Sequence, residues 1–171
     1  MIAFSTLTHI VIDVDGTLTD GSIYYDDHGN ELKKFNTRDG AGFLAAREAG
    51  FTLMVLTGRT CQAVERRMRE FKVDILEQNV KNKAFWLATW QKEHQIGPEH
   101  FVFVGDELND LAAMRLCAFR ACPADACLEV RSIAHYISPL PGGSGVLRDV
   151  VHYLLTARGE WESTVKRIYN F

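Results

Sequence analysis

Short runs of apolar residues alternate along the chain with segments in which apolar residues recur at helical spacing. The runs at residues 8–14, 51–56 and 101–104 are rich in β-branched and aromatic side chains and do not alternate with polar ones, as in parallel strands covered on both faces. Strands that alternate with helices favour a Rossmann-like, open parallel α/β sheet with helices on both faces. Shorter strands are predicted at residues 74–76, 118–121 and 135–137, and helices at residues 39–49, 60–71, 80–94, 111–116, 126–132 and 146–157.

One segment interrupts this alternation. Short strands are predicted at residues 21–25 and 31–36, and the sequence DDHGN between them contains the Asp, Gly and Asn residues that form turns. We therefore expect a β-hairpin flap at about residues 21–36.

The end of the chain also has a helical pattern. Trp161, Val165, Ile168 and Tyr169 fall at positions i, i+4, i+7 and i+8, which predicts a helix docked on the rest of the protein. No repeat or long linker divides the 171 residues. The sequence thus predicts a single domain, residues 1–171, that ends in a helix and tail at about residues 146–171.

Composition narrows the possible partners and locations. The net charge of -3 and the pI near 6.1 provide no broad basic surface, so nucleic acid is not an expected partner. No apolar run approaches the ~18 residues of a membrane span, and none is expected. The N-terminal segment lacks a basic region, and Asp13 and Asp15 break the apolar run after it, so we expect a cytoplasmic protein without a signal peptide.

Reactive side chains follow three of the predicted strands. Asp13 and Asp15 come after the first strand, Thr57 after the second, and Asp106 and Asp110 after the strand at residues 101–104. Ligands of open α/β sheets bind beyond the carboxyl ends of the strands, so these groups should converge in one crevice.

Several carboxylates in one crevice repel one another by roughly 4 kcal/mol per pair at ~4 Å and an effective dielectric constant near 20. Either a divalent cation lies between them or some of the acids are protonated. Ligands that are all oxygen favour a hard ion, so Mg²⁺ is the expected cofactor. The expected metal ligands are Asp13, Asp15 and Asp106.

This set of residues suggests a division of roles in phosphoryl transfer. Asp13 would attack phosphorus, and Asp15 would protonate the leaving oxygen and later activate water. Thr57 would donate a hydrogen bond to a phosphoryl oxygen, while Lys83 would offset its negative charge. Asp110 would orient Lys83 or a metal-bound water.

Each feature alone has a simpler interpretation. Two aspartates at a strand end often form a turn or cap a helix, Thr57 with Gly58 could be a turn, and Lys83 could be a solvated helical residue. A binding or assembly module that keeps the fold without turnover is a further alternative. Asp13, Thr57, Lys83 and Asp106 occur together in the right order, which favours the enzyme.

The motifs resemble those of the haloacid dehalogenase superfamily of phosphatases, in order and in spacing. The segment DVDGT at residues 13–17, Thr57, Lys83 and Gly105-Asp106 with Asp110 carry this resemblance. A closer similarity, to the 3-deoxy-D-manno-octulosonate 8-phosphate (KDO 8-phosphate) phosphatases of lipopolysaccharide synthesis, rests on segments between residues 9 and 157. These are DVDGTLTDG at 13–21, FNTRDG at 35–40, TGR at 57–59, Gln78 before Lys83, and GGSG at 142–145 with Arg148.

The resemblance implies further properties. It implies a haloacid dehalogenase fold without a large cap domain, and a Mg²⁺-dependent phosphomonoesterase that acts on a sugar acid phosphate. It also implies a homotetramer, in which the loop at residues 142–145 and the tail of one subunit close the active site of the neighbour. The positions that match substrate contacts, besides Asp15 and Lys83, are Asn36, Thr37, Arg38, Asp39, Gly40, Gly58, Arg59 and Arg67.

The choice of sugar stays open at this level. Similar phosphatases hydrolyse nine-carbon ulosonic acid 9-phosphates of the sialic acid type, and a broader sugar phosphatase is also compatible with the motifs. In the nine-carbon enzymes we expect Glu at the position of Arg59. The presence of Arg59 therefore favours the eight-carbon substrate.

Overall fold

The computed structural model describes residues 2–171, so Met1 of the expected single domain lies outside the described residues. The sheet has six parallel strands in the order β5-β4-β1-β6-β7-β8. The strands β1 to β8 cover His9–Ile12, Tyr24–Tyr25, Glu31–Leu32, Thr52–Leu56, Ile75–Glu77, Phe101–Val104, Phe119–Cys122 and Tyr136–Ile137. The expected open parallel sheet is confirmed.

The described helices cover both faces of the sheet. They are α1 to α7, at Thr37–Glu48, Gln62–Phe71, Lys83–His94, Leu111–Met114, Leu128–Ile133, Val146–Ala157 and Trp161–Tyr169. Alternate strand residues pack on opposite faces, with Ile10 and Ile12 against α1, α2 and α6, and Val11 against α3, α4 and α5. No described helix combines the length and the apolar character needed to span a membrane.

The hairpin lies outside the main sheet. Strands β2 and β3 pair antiparallel, and Asp26 accepts hydrogen bonds from the amides of His28 and Asn30 in the turn between them. These strands are shorter than the sequence suggested, and after β3 the chain is held by side-chain contacts such as those of Lys33 with Asp15 and of Asn36 with the carbonyl of Gly143. Between β1 and α1 the described chain contains this hairpin and no larger insertion, as expected for a fold without a large cap domain.

The C-terminal helices pack on the body of the protein. Helix α6 has the predicted bounds, and its inner face is fully buried at Val150, Val151 and Leu154. Helix α7 follows and docks as predicted, with an ion pair of 2.7 Å between Arg167 and Glu48 of α1. The last segment of the chain is therefore part of the fold.

Candidate active site

The carboxyl ends of three neighbouring strands form the floor of the site. Strand β1 pairs with β4 on one side and with β6 on the other, and Ile12 is in register with both Val55 and Val104. The residues that follow these strands therefore emerge at the same edge of the sheet. Asp13 takes the central position, with Thr57 on one side and Asp106 on the other.

A buried lysine links two of the carboxylates. Lys83 is the first residue of α3, whose N-terminus is capped by Asn82. Its ammonium group bonds Asp13 Oδ1 and lies 2.7 Å from Asp110 Oδ1. The three side chains are almost completely buried, so this pairing replaces the water that their charges would otherwise need.

Three carboxylates form a compact group. Asp13, Asp106 and Asp110 each offer an oxygen atom within 4.8 Å of the others. Burial and repulsion from Asp110 raise the pKa of Asp13 well above its usual range, although Lys83 opposes this shift. Burial, with the same repulsion, raises the pKa of Asp106 to about 7. The protein around these three carboxylates therefore does not stabilise all of them in the ionised form.

Two glycines allow this close approach. Gly16 has φ of +93°, and a side chain at this position would collide with the carboxylate of Asp106. A side chain at Gly105 would meet Asp110 Oδ2, which accepts hydrogen bonds from the amides of Asp106 and Glu107. Thr17 also donates to Asp106 Oδ1 at 2.9 Å. Gly16 and Gly105 therefore leave the space that the carboxylates of Asp106 and Asp110 occupy.

Asp15 contacts Lys33 and Thr57 and does not belong to this group of carboxylates. Its Oδ1 accepts a hydrogen bond from Lys33, and its Oδ2 lies 3.4 Å from the Thr57 hydroxyl, which donates to it. The Asp15 carboxylate is not among the three that can share one ion. Its expected part in metal binding stays a prediction, and its position at the mouth of the site suits a group that exchanges protons with a ligand.

Two hairpin residues that were not predicted from the sequence, Glu31 and Lys33, border the site. The ammonium group of Lys33 lies 2.6 Å from Glu31 Oε1 and also bonds Asp15, and the side chain of Lys33 is fully buried. Burial alone would lower the pKa of Lys33, but the hydrogen bonds to Asp15 and Glu31 raise it. The signal available in the sequence was the alternation of charge at Glu31 and Lys33, which lie on one face of an extended segment.

Relatives of the chain support the same interpretation. No protein-family model matches it. The KDO 8-phosphate phosphatase of Escherichia coli strain K12 is 35% identical over 151 residues, which are 88% of this chain and 80% of the relative. The chain belongs to the KDO 8-phosphate phosphatase family. Its relatives are named as phosphatases, which favours an enzyme over the non-catalytic module.

Solved structures of this phosphatase family share the fold. The KDO 8-phosphate phosphatase of Moraxella catarrhalis, in complex with magnesium, phosphate and KDO, has a TM-score of 0.92 and 31% identity, covering 96% of this chain and 95% of that one. The cobalt-bound enzyme of Haemophilus influenzae has a TM-score of 0.86 and 28% identity, covering 91% of each chain. The similarity therefore extends over the whole fold.

In this member of the family, Arg59 is held by the hairpin. Its guanidinium group lies 2.7 Å from Glu31 Oε2 and 3.3 Å from the hydroxyl of Tyr25. The hydrogen bond from Arg59 is the main cause that lowers the pKa of Glu31 to about 2. The neighbouring Gly58 accepts a bond from Lys81 through its carbonyl. Arg59 is thus already paired on the hairpin side of the crevice.

The expected substrate residues at the start of α1 divide into two groups. Thr37 and Arg38 are exposed, while Asn36 caps the helix through Arg38 N and donates to the carbonyl of Gly143. Asp39 is only 1% exposed, and its Oδ1 accepts a hydrogen bond from the amide of Arg148 in α6. The carboxylate of Asp39 is therefore buried where α1 packs on α6, and its contact with substrate stays a prediction.

The two remaining expected contacts, Arg67 of α2 and Gly40 of α1, both lie against the ring of Phe71. The guanidinium group of Arg67 stacks 4.1 Å from the centre of the Phe71 ring and bonds Glu70 at 2.8 Å. Gly40 approaches the same ring, where a side chain would be in tight contact. Arg67 and Gly40 are therefore neighbours, but their contact with substrate stays a prediction.

The glycine-rich loop packs on the catalytic turn of its own chain. The amide of Gly143 donates to the carbonyl of Thr17 at 3.0 Å. A side chain at Gly142 would collide with the backbone of Gly16, and one at Gly143 with that of Asp20. These contacts form within one subunit, so the expected closure of a neighbouring site stays a prediction.

Proposed function

We propose that this protein is a Mg²⁺-dependent phosphomonoesterase that hydrolyses KDO 8-phosphate to KDO and phosphate. The observation that carries the proposal is the buried group of Asp13, Asp106 and Asp110 with Lys83, at the carboxyl edge of the sheet. Membership of the KDO 8-phosphate phosphatase family supports the choice of substrate. The complex of the Moraxella catarrhalis relative contains magnesium, phosphate and KDO, which supports both the metal and the sugar.

The residues present fit a hard divalent cation. The three carboxylates supply only oxygen donors within 4.8 Å, and their raised pKa values reflect charge that a cation would offset. Asp13 and Asp106 would hold the ion, with Asp110 fixed beside them by Lys83. When bound, Mg²⁺ supplies positive charge that stabilises the phosphoryl oxygens in the transition state.

The side chains then carry out a two-step displacement. A carboxylate oxygen of Asp13 attacks phosphorus as the bond to the sugar oxygen breaks, and Asp15 gives that oxygen a proton. Asp15 next takes a proton from the water that hydrolyses the aspartyl-phosphate, which releases phosphate and restores Asp13. Thr57 donates to a phosphoryl oxygen, and Lys83 offsets its charge.

A comparison of two substrates tests this assignment. Phosphate release would be measured with KDO 8-phosphate and with a sialic-acid-type 9-phosphate, both in Mg²⁺. We expect the larger kcat/KM for the eight-carbon acid, because Arg59 occupies the position expected to distinguish the two. Faster turnover of the nine-carbon acid would contradict the substrate and leave the phosphatase mechanism intact.

We also propose a homotetramer in which neighbouring subunits complete the active sites. A two-stranded hairpin is marginal by itself, and the apolar side chains of this one are 43–64% exposed at Ile23, Tyr24, Tyr25 and Leu32. Sedimentation equilibrium should give a mass about four times the 19.3 kDa of the chain. A monomer that retains full activity would contradict the proposal.

The cytoplasmic location stays a prediction that cell fractionation would test.

A further inference from the structure

The hairpin residue Lys33 carries a buried charge beside the active site. Its side chain has no exposed surface, although a lysine ammonium is strongly hydrated in water. The ammonium group bonds Asp15 Oδ1 and lies 2.6 Å from Glu31 Oε1, so two carboxylates replace its water. A buried lysine with these partners is fixed in position.

Asp15 is in turn held on both of its oxygens. Lys33 bonds Oδ1, and the hydroxyl of Thr57 lies 3.4 Å from Oδ2. The Asp15 side chain remains 23% exposed, so the fixed carboxylate still borders the mouth of the site. A group that transfers a proton must lie within hydrogen-bond reach of its target, and a misplacement of ~1 Å can cost about 10²-fold in rate.

Glu31 connects this contact to Arg59, which follows strand β4. Its Oε1 contacts Lys33 and also accepts a hydrogen bond from Arg59 Nε at 3.2 Å, and its Oε2 accepts one from the Arg59 guanidinium group at 2.7 Å. The carbonyl of Glu31 also accepts a hydrogen bond from Cys61 Sγ at 3.5 Å. The hairpin is therefore tied both to Asp15 and to Arg59, through adjacent charged side chains.

We propose that Lys33 is the positioning residue for proton transfer by Asp15. Because Lys33 belongs to the hairpin, this step requires the hairpin to be packed against the active site. The inference rests on the proposed function, because it requires a phosphoester whose leaving group needs a proton. In that step the Asp13–phosphorus bond forms, the phosphorus–sugar oxygen bond breaks, and the proton moves from Asp15 to the sugar oxygen. Asp15 enters this step protonated, the form that it regains when it takes a proton from the attacking water, and Lys33 keeps its own protons and holds the Asp15 side chain in place.

Two esters distinguish this role from a purely structural one. The alkoxide of KDO 8-phosphate is a strong base and needs the proton, whereas the phenolate of p-nitrophenyl phosphate leaves without one. Leaving-group release would be measured in single turnovers with enzyme in excess, so that hydrolysis of the aspartyl-phosphate does not limit the signal. The variants are Lys33→Met, which removes the charge, and Lys33→Arg, which retains it.

Lys34 provides the matched control. It is the next residue, carries the same charge, is 68% exposed, and makes a long contact of 3.4 Å with Asp20. Lys34→Met should therefore release both leaving groups at the wild-type rate. We expect Lys33→Met to release KDO about 10²-fold more slowly while p-nitrophenolate release changes less than about threefold, with partial recovery in Lys33→Arg.

A comparison made in a second variant, Asp15→Asn, keeps the test decisive if Lys33→Met alters folding. In Asp15→Asn protein, whose proton-transfer group is already removed, adding Lys33→Met should change KDO release by less than about twofold. Equal losses with both esters, or a further large loss in the Asp15→Asn background, would overturn the proposal. Wild-type protein that turns over neither ester would instead overturn the proposed function, and this inference with it.

Discussion

At the scale of single residues, the central feature is one lysine shared by two buried carboxylates. Removing such charges from water costs several kcal/mol per ion, and mutual attraction offsets this cost only when the geometry is good. Lys83 makes both contacts, yet burial and repulsion from Asp110 keep the pKa of Asp13 raised. Asp106 adds a further carboxylate to this group, and a divalent cation would balance its negative charge.

The first prediction concerns the nucleophile. Asp13→Asn keeps the shape of the side chain but removes the attacking oxygen, so phosphate release from KDO 8-phosphate should fall at least about 10³-fold. Asp27→Asn, in the exposed turn of the hairpin, makes the same chemical change outside the site and should retain activity. Retained activity in Asp13→Asn would revive the non-catalytic module or another nucleophile.

The second prediction concerns Asp39 and pH. Burial raises the pKa of Asp39 to about 6, although amides of α6 oppose the shift. Between about pH 4 and 6 the folded state binds a proton that the unfolded state lacks, so this group lowers the free energy of unfolding as pH rises. Asp39→Asn should be more stable than wild type at pH 7.5 by about 1–3 kcal/mol, and by less at pH 4.5. Urea unfolding at both values measures this, and a difference independent of pH would contradict it.

Some of these residue-scale features follow from the sequence and others do not. Asp13, Thr57 and Asp106 could be placed together because each follows a parallel strand, and such strands end at one edge of the sheet. The contact of Lys33 with Asp15 depends on how the hairpin folds back, which no local pattern encodes. The burial of Asp39 could not be predicted either, because tertiary contacts decide which face of α1 packs on α6.

At the scale of elements, the close packing of α1 on α6 fixes the start of α1, where several of the expected substrate contacts lie. A side chain at Gly42 would lie 2.7 Å from Arg148 Cα and 2.8 Å from Arg148 N, both of them backbone atoms. The two helices therefore approach each other at a distance that only glycine permits. The same contact brings Asp39 to the N-terminal amides of α6.

The third prediction tests this contact. Gly42→Ala forces the helices apart, and we expect the free energy of unfolding to fall by about 1–3 kcal/mol. Gly40→Ala in the same helix would meet only the ring of Phe71, at 3.2 Å. It should gain helix propensity and stay within about 1 kcal/mol of wild type. Equal destabilisation of the two variants in urea unfolding would show that the close helix contact is not responsible.

The bounds of the helices and strands show where the local sequence pattern is sufficient to predict them and where it is not. Helix α6 and strand β6 have the predicted limits, because α6 is an amphipathic segment that follows a glycine-rich loop and β6 is an apolar run that ends at Gly105. Helix α3 was expected from residue 80 but begins at Lys83. The preceding segment is held by tertiary contacts, since the amide of Val80 bonds the carbonyl of Thr57 and Asn79 has a positive φ. This shift places Lys83 in the first turn, facing Asp13.

At the scale of the whole molecule, the strand order explains why the site forms where it does. Strand β1 lies in the middle of the sheet between β4 and β6, so the chain crosses over to bring distant segments beside Asp13. The alternation of strands and helices predicted the sheet type but not this order, which depends on the helix packing of both faces. The hairpin exposes apolar residues, which the proposed tetramer would cover.

The most direct test of this account is the metal dependence of phosphate release from KDO 8-phosphate by wild type and Asp106→Asn. After removal of metal with EDTA, wild type should lose at least about 10²-fold in kcat and recover it when Mg²⁺ is added. Asp106→Asn should require a higher Mg²⁺ concentration for half-maximal activity. Full hydrolysis in EDTA, or an unchanged Mg²⁺ requirement in Asp106→Asn, would contradict a catalytic ion held by this group of carboxylates.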